Sequence, residues 1–130
     1  MIAVDTNIVV RLLSRDDESQ FQRAYHLFND HKIFISTTVA LECEWVLRYA
    51  YKFSPREIVA VLRRLFGLEN VVLEEGERVA MALEWHEQGL DFADALHLAA
   101  SPEGTPFYTF DRKLIKGARG VSRQDVREPD

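Results

Sequence analysis

Four carboxylates stand in this sequence where an uncharged side chain would be easier to place. Asp94 lies within "DFADALHLAA" (91–100), among Ala93, Ala95, Leu96 and Ala99, with Asp91 one turn earlier and His97 one turn later. Glu42 has Val39, Trp45 and Val46 as its i−3, i+3 and i+4 neighbours, an apolar face without a basic partner. Asp5 follows the apolar run "IAV", and Asp111 follows "FYTF". One such acid alone is as often a helix cap or a hydrogen-bonded core carboxylate. Four together predict a pocket, because like charges at close range force protonation unless a cation neutralises them. Oxygen donors without thiolates or a histidine cluster select Mg²⁺ or Mn²⁺ over zinc. The pocket expected is one built for one or two divalent ions.

The other acids have ordinary explanations. Asp16, Asp17 and Glu18 stand at a helix start, as do Glu74, Glu75 and Glu77, where the helix dipole favours negative charge. Glu44 precedes Arg48 by four residues, the favourable order for a helical ion pair.

The elements that must position these residues alternate. "MIAVD" reads as a buried parallel strand and "TNIVVRLLS" as a helix capped by Thr6 or Asn7. A helix over "RDDESQFQRAYHLFNDHK", a strand "IFIS" and a helix "TTVALECEWVLRYAYKF" follow. "SPREIVAVLRRLFG" carries Ser54 as cap, Pro55 in the first turn and Gly67 at the exit. Then come a strand "VVL", a helix "EEGERVAMALEWHEQG" closed by Gly89, the helix around Asp94, a breaker "SPEGTP" and a strand "FYTF". This order predicts an α/β fold with a parallel sheet, whose active sites gather at the carboxyl ends of strands. Asp5 and Asp111 both fall at such ends.

Size and composition agree. A chain of 130 residues, 47% hydrophobic and 28% charged, suits one domain over residues 1–130. The single Cys43 excludes an internal disulfide framework and fits a reducing compartment. No basic leader and no run of roughly 18 apolar residues is present, so no membrane partner and a cytoplasmic location are expected. The net charge of −5 alone argues against a nucleic-acid partner, but its distribution is uneven. Residues 112–130 hold 6 basic and 3 acidic side chains, a cluster able to hold phosphates or to lie solvated as a tail.

These pieces resemble the PIN-domain nucleases, in particular the VapC-type toxins of bacterial toxin–antitoxin pairs. "VDTNIVVRLL" (4–13), "STTVALECEWVL" (36–47), "DFADALHLAA" (91–100) and "YTFDRKL" (108–114) match in order and spacing over essentially the whole chain. The resemblance implies a PIN-like three-layer fold, with a central mostly parallel sheet of four or five short strands flanked by helices. It implies that Asp5, Glu42, Asp94 and Asp111 are both catalytic residues and metal ligands, with Asn7 and Thr109 as supporting polar groups and Asp91 in an outer role. The acid usual a few positions after "TFD" is missing, since Leu114, Ile115 and Lys116 stand there. The activity implied is a Mg²⁺- or Mn²⁺-dependent endoribonuclease using a metal-activated water, with 5′-phosphate and 3′-hydroxyl products. The partners implied are an RNA substrate, a VapB-like antitoxin protein and a second copy in a homodimer. Aromatic stretches such as "LRYAYKF" would supply the antitoxin's groove.

Two rival readings are weaker. A Mg²⁺ phosphohydrolase of the haloacid-dehalogenase kind wants a second Asp two residues after Asp5, where Asn7 stands. A non-catalytic metal-binding or interaction module would not require all four acids to be intact.

Overall fold

The computed structural model describes residues 1–130 and divides into two compact units, Met1–Gly76 and Glu77–Asp130. The first unit runs β1 (Ile2–Ala3), α1 (Thr6–Ser14), α2 (Glu18–Asp30), β2 (Ile33–Ile35), α3 (Thr37–Tyr49), α4 (Pro55–Phe66) and β3 (Val71–Leu73). Its three strands pair in the order β1-β2-β3, all parallel, with Ile2 opposite Ile33 and Ile33 opposite Val71. Ile33 and Ile35 are fully buried, as a parallel strand covered on both faces requires. Val9, Phe28, Leu47, Ile58 and Leu62 supply the helix side of this core.

The second unit holds most of α5 (Gly76–Glu87), then α6 (Phe92–Ala100), β4 (Phe107–Tyr108), α7 (Arg112–Val121) and β5 (Val126–Arg127). β4 and β5 pair in parallel, Phe107 opposite Val126. Its core gathers Val79, Leu83, Phe92, Leu98 and Ala118. Gly117 lets α7 approach Leu90 closely, since a Cβ there would stand 2.8 Å from a Leu90 methyl carbon.

The α/β expectation holds, with seven helices and five short strands in parallel pairings. The strands form a three-stranded and a two-stranded group. The second group contains β5, in a segment read from sequence only as a basic cluster. Four local readings change. Asp5, rather than Thr6 or Asn7, caps α1: its backbone is extended and its side chain accepts the Ile8 N–H. α3 stops at Tyr49 rather than running to Phe53, because Lys52 turns left-handed (φ 58) and the Phe53 N–H returns to the Leu47 carbonyl. "FYTF" is a strand only at Phe107 and Tyr108, and Phe110 lies 77% exposed. The stretch after Asp111 is a regular amphipathic helix and no loose tail.

Candidate metal and nuclease site

Three of the four candidate acids sit on helix starts or first turns, and two of them are separated from a strand by one or two residues. Asp5 leaves β1 and caps α1, its Oδ1 accepting the Ile8 N–H at 3.2 Å. Asp111 leaves β4 and caps α7, its Oδ1 accepting the Lys113 and Leu114 N–H groups at 3.0 and 3.1 Å. In both, one carboxylate oxygen serves the helix and Oδ2 is left open. Asp94 occupies the first turn of α6, whose cap is Asp91: the Asp91 Oδ2 accepts the Asp94 N–H at 3.1 Å. Glu42 projects from the second turn of α3.

The burial inferred from sequence is corrected for three of these residues. Asp5, Glu42 and Asp111 are exposed, and only Asp94 is half-buried. The carboxylate that α3 truly buries is Glu44, 1% exposed, which shares its helix face with Ala40, Cys43 and Leu47. Arg48 holds it with two bonds, Nε to Oε2 at 2.7 Å and a terminal nitrogen to Oε1 at 3.2 Å. The apolar neighbours of Glu42 form a surface instead, with Trp45 56% exposed and Tyr49 50% exposed, their rings 4.9 Å apart.

Within the first unit Glu42 and Asp5 are neighbours in the field of the same group. The Thr6 hydroxyl donates to Glu42 Oε1 at 3.2 Å, tying α3 to the residue after Asp5. The Cys43 thiol is pushed up to about 12, first by burial and then by the charges of Glu42 and Asp5. It stays a protonated, buried side chain in the metal-free protein. Thr6 was read from sequence only as a possible cap; its adjacency to Asp5 was the one available signal. A cavity of about 650 Å³ borders Asp5 and is lined by Asn7, Arg11, Arg23, His26 and His31 among others from α1, α2 and its C-terminal end.

In the second unit Asp94 is the electrostatically loaded group. Burial raises its carboxyl above the ordinary range, and the charges of Asp91 and Asp111 raise it further; His97 opposes them. No donor contacts its oxygens, although its own N–H is capped by Asp91. The Thr109 Oγ1 accepts the Asp111 N–H at 3.0 Å. That contact sets the backbone from which Asp111 starts α7.

The donor chemistry fits a hard divalent cation. Each unit offers a pair of carboxylates with at least one uncommitted oxygen each, Asp5 with Glu42 and Asp94 with Asp111, and no thiolate competes. No group of three or more His, Cys, Asp or Glu side chains is arranged to hold an ion by itself. Pairs suffice for Mg²⁺, which keeps several waters and is held by one or two carboxylates together with substrate phosphates.

The family model described as PIN domain matches residues 2–120, a span that contains all four acids. No curated protein matches the chain.

Proposed function

The chain belongs to the PIN-domain family, whose members are metal-dependent nucleases, and from that premise we propose that it is an endoribonuclease working with Mg²⁺ or Mn²⁺. Asp5, Glu42, Asp94 and Asp111 are the carboxylates proposed to hold the metal and carry catalysis. The observation that carries the reading is Asp94, a half-buried carboxylate with no donor and with two acids beside it. A protein keeps such a charge where a cation neutralises it. When bound, a divalent ion supplies a water of lowered pKa and offsets charge on the scissile phosphate.

The chain's own residues do the positioning. Asp5 and Asp111 are fixed by the helices they cap, so their open oxygens are held without cost in side-chain freedom at the moment of binding. Thr6 orients Glu42 through Oε1, and Thr109 orients the Asp111 backbone. Arg48 neutralises Glu44 and keeps that carboxylate out of the reaction.

The toxin role is part of the same proposal. A VapB-like antitoxin is the proposed regulator, supported by the exposed Trp45 and Tyr49 three and seven residues from Glu42, and a homodimer is the proposed assembly. No helix is long and apolar enough to cross a membrane, and a cytoplasmic location is proposed on the single buried thiol, which forms no disulfide.

The test is cleavage of RNA by the purified chain with Mn²⁺, with Mg²⁺ and with chelator. Cleavage is expected with either ion and none with chelator, and products should carry 5′-phosphates. Asp94→Asn and Asp5→Asn should each lower the rate by about a thousandfold, the scale of a lost metal contact in a transition state. Activity that survives chelation, or wild-type rates from either variant at excess Mg²⁺, would overturn the assignment.

A further inference from the structure

The helix that starts on Asp111 carries a second chemistry along its exposed side. Leu114, Ile115 and Ala118 form the buried stripe of α7. Arg112, Lys116 and Arg119 follow at i, i+4 and i+7 and share an exposed face that borders this stripe at Ile115. β5 adds Arg127. These four cations, with Ile115 and Glu128, line a groove of about 450 Å³.

Two of the four cations have a carboxylate neighbour and two do not. Glu128 reaches Arg112 only at 3.8 Å, and Arg127 is paired with Asp125 at 2.7 Å. Lys116 and Arg119 have no carboxylate partner. In a chain of net charge −5, gathering these cations around one groove gives it a local positive potential that attracts a polyanion.

A second observation gives the polyanion its form. Tyr108 is 54% exposed and Phe110 is 77% exposed, the two residues alternating along the approach to Asp111. The Arg127 guanidinium lies 5.3 Å from the Tyr108 ring centre, which sets that ring at the edge of the groove. Exposed rings beside a cationic groove are the pattern that binds single strands, bases stacking on the rings while cations follow the phosphates. Base-paired strands present no such faces.

We propose that the α7–β5 groove holds the backbone of single-stranded RNA beyond the scissile bond, with Tyr108 and Phe110 as base-stacking platforms between Asp111 and the groove. Arg119 lies roughly 12 Å along the helix axis from Asp111, at 1.5 Å per residue, so the footprint spans more than one nucleotide. Arg112, Lys116, Arg119 and Arg127 are then substrate-binding residues. The inference rests on the nuclease reading above, and it replaces the diffuse basic segment of the sequence with four named side chains. Lys113, though basic, does not line the groove.

The experiment is fluorescence anisotropy of a labelled 20-nucleotide oligouridine in chelator, across a salt series, beside Mn²⁺-dependent cleavage of the same RNA and of a four-nucleotide fragment. For Lys116→Ala/Arg119→Ala, the slope of log K against log salt should fall by about 1.4, about 0.7 per lost phosphate contact. Phe110→Ala should weaken binding about tenfold and leave the slope unchanged. The double variant should raise KM for the long RNA by a larger factor than for the short fragment. All these side chains are exposed, and circular dichroism checks the fold. Unchanged slope and affinity in the double variant, while the wild type still cuts RNA, overturn the groove alone. A wild type that neither binds nor cuts RNA overturns both the groove and the nuclease reading.

Discussion

Asp94 concentrates the electrostatic tension of the second unit, and its stability effect has a defined sign. Its carboxyl is held above the ordinary range by burial, then by Asp91 and Asp111. A group raised in the folded state keeps its proton at pH values where the unfolded chain has released it. Folding stability therefore falls as pH rises through that window. The penalty is absent below about pH 4, the ordinary Asp value, and complete once the folded carboxyl has ionised. In metal-free protein, Asp94→Asn should raise Tm by about 1–3 °C at pH 7, a fraction of a kcal/mol to 1 kcal/mol at this chain length. It should change nothing at pH 3.5. Calorimetry at the two pH values checks this, and a lower Tm for the variant at pH 7 would remove the tension from the account. Glu44 on α3 illustrates the opposite solution: its buried charge is matched by Arg48 on the same helix and so needs no metal.

Capping is the device by which elements here deliver chemistry. Four of the seven helices start from an aspartate: Asp5, Asp17, Asp91 and Asp111 each accept a backbone N–H of the first turn. Three of these aspartates belong to or adjoin the proposed site, so the same carboxylates that satisfy helix ends present charge at them. α4 shows a cap free of that double duty. Ser54 and Glu57 close a reciprocal box, with the Glu57 N–H on the Ser54 hydroxyl at 3.2 Å and the Ser54 N–H on Glu57 Oε1 at 2.9 Å. Ser54→Ala should therefore cost about 1 kcal/mol, or roughly 3–5 °C in Tm. RNA cleavage should keep its wild-type kcat at a temperature below the transition. A variant that loses cleavage in proportion to Asp94→Asn would show that α4 reports on the site as well as on stability.

For the whole chain, metal binding and folding are linked. A divalent ion that binds the folded chain and not the unfolded one stabilises it by about 2.7 kcal/mol at a hundredfold excess over Kd. Mn²⁺ should accordingly raise the Tm of the wild type by roughly 8–13 °C. Asp94→Asn, already relieved of its repulsion, should show little of that rise, and the two melting curves should cross as Mn²⁺ is added. Equal shifts in both proteins would place the ion elsewhere.

The alternation of apolar runs with helical segments determined the α/β class from sequence, because burial on both faces of a parallel strand leaves a continuous apolar signature. Helix punctuation was equally legible: Ser54, Pro55 and Gly67 act through local backbone chemistry. The four acids, Asp5, Glu42, Asp94 and Asp111, stand out in the sequence as candidates by residue type and spacing. Their exposure was not legible. On α3, two carboxylates two residues apart point about 200° apart around the axis; which one meets the core depends on what packs against the helix, and it proved to be Glu44. The α7–β5 groove was illegible for the same reason. Arg112, Lys116 and Arg119 share a face only once α7 is known to be a helix, and Arg127 joins them only because β5 pairs with β4. Local signals settle which elements form and where they start; side-chain direction and long-range pairing, which are settled by packing, decide which charges face one another.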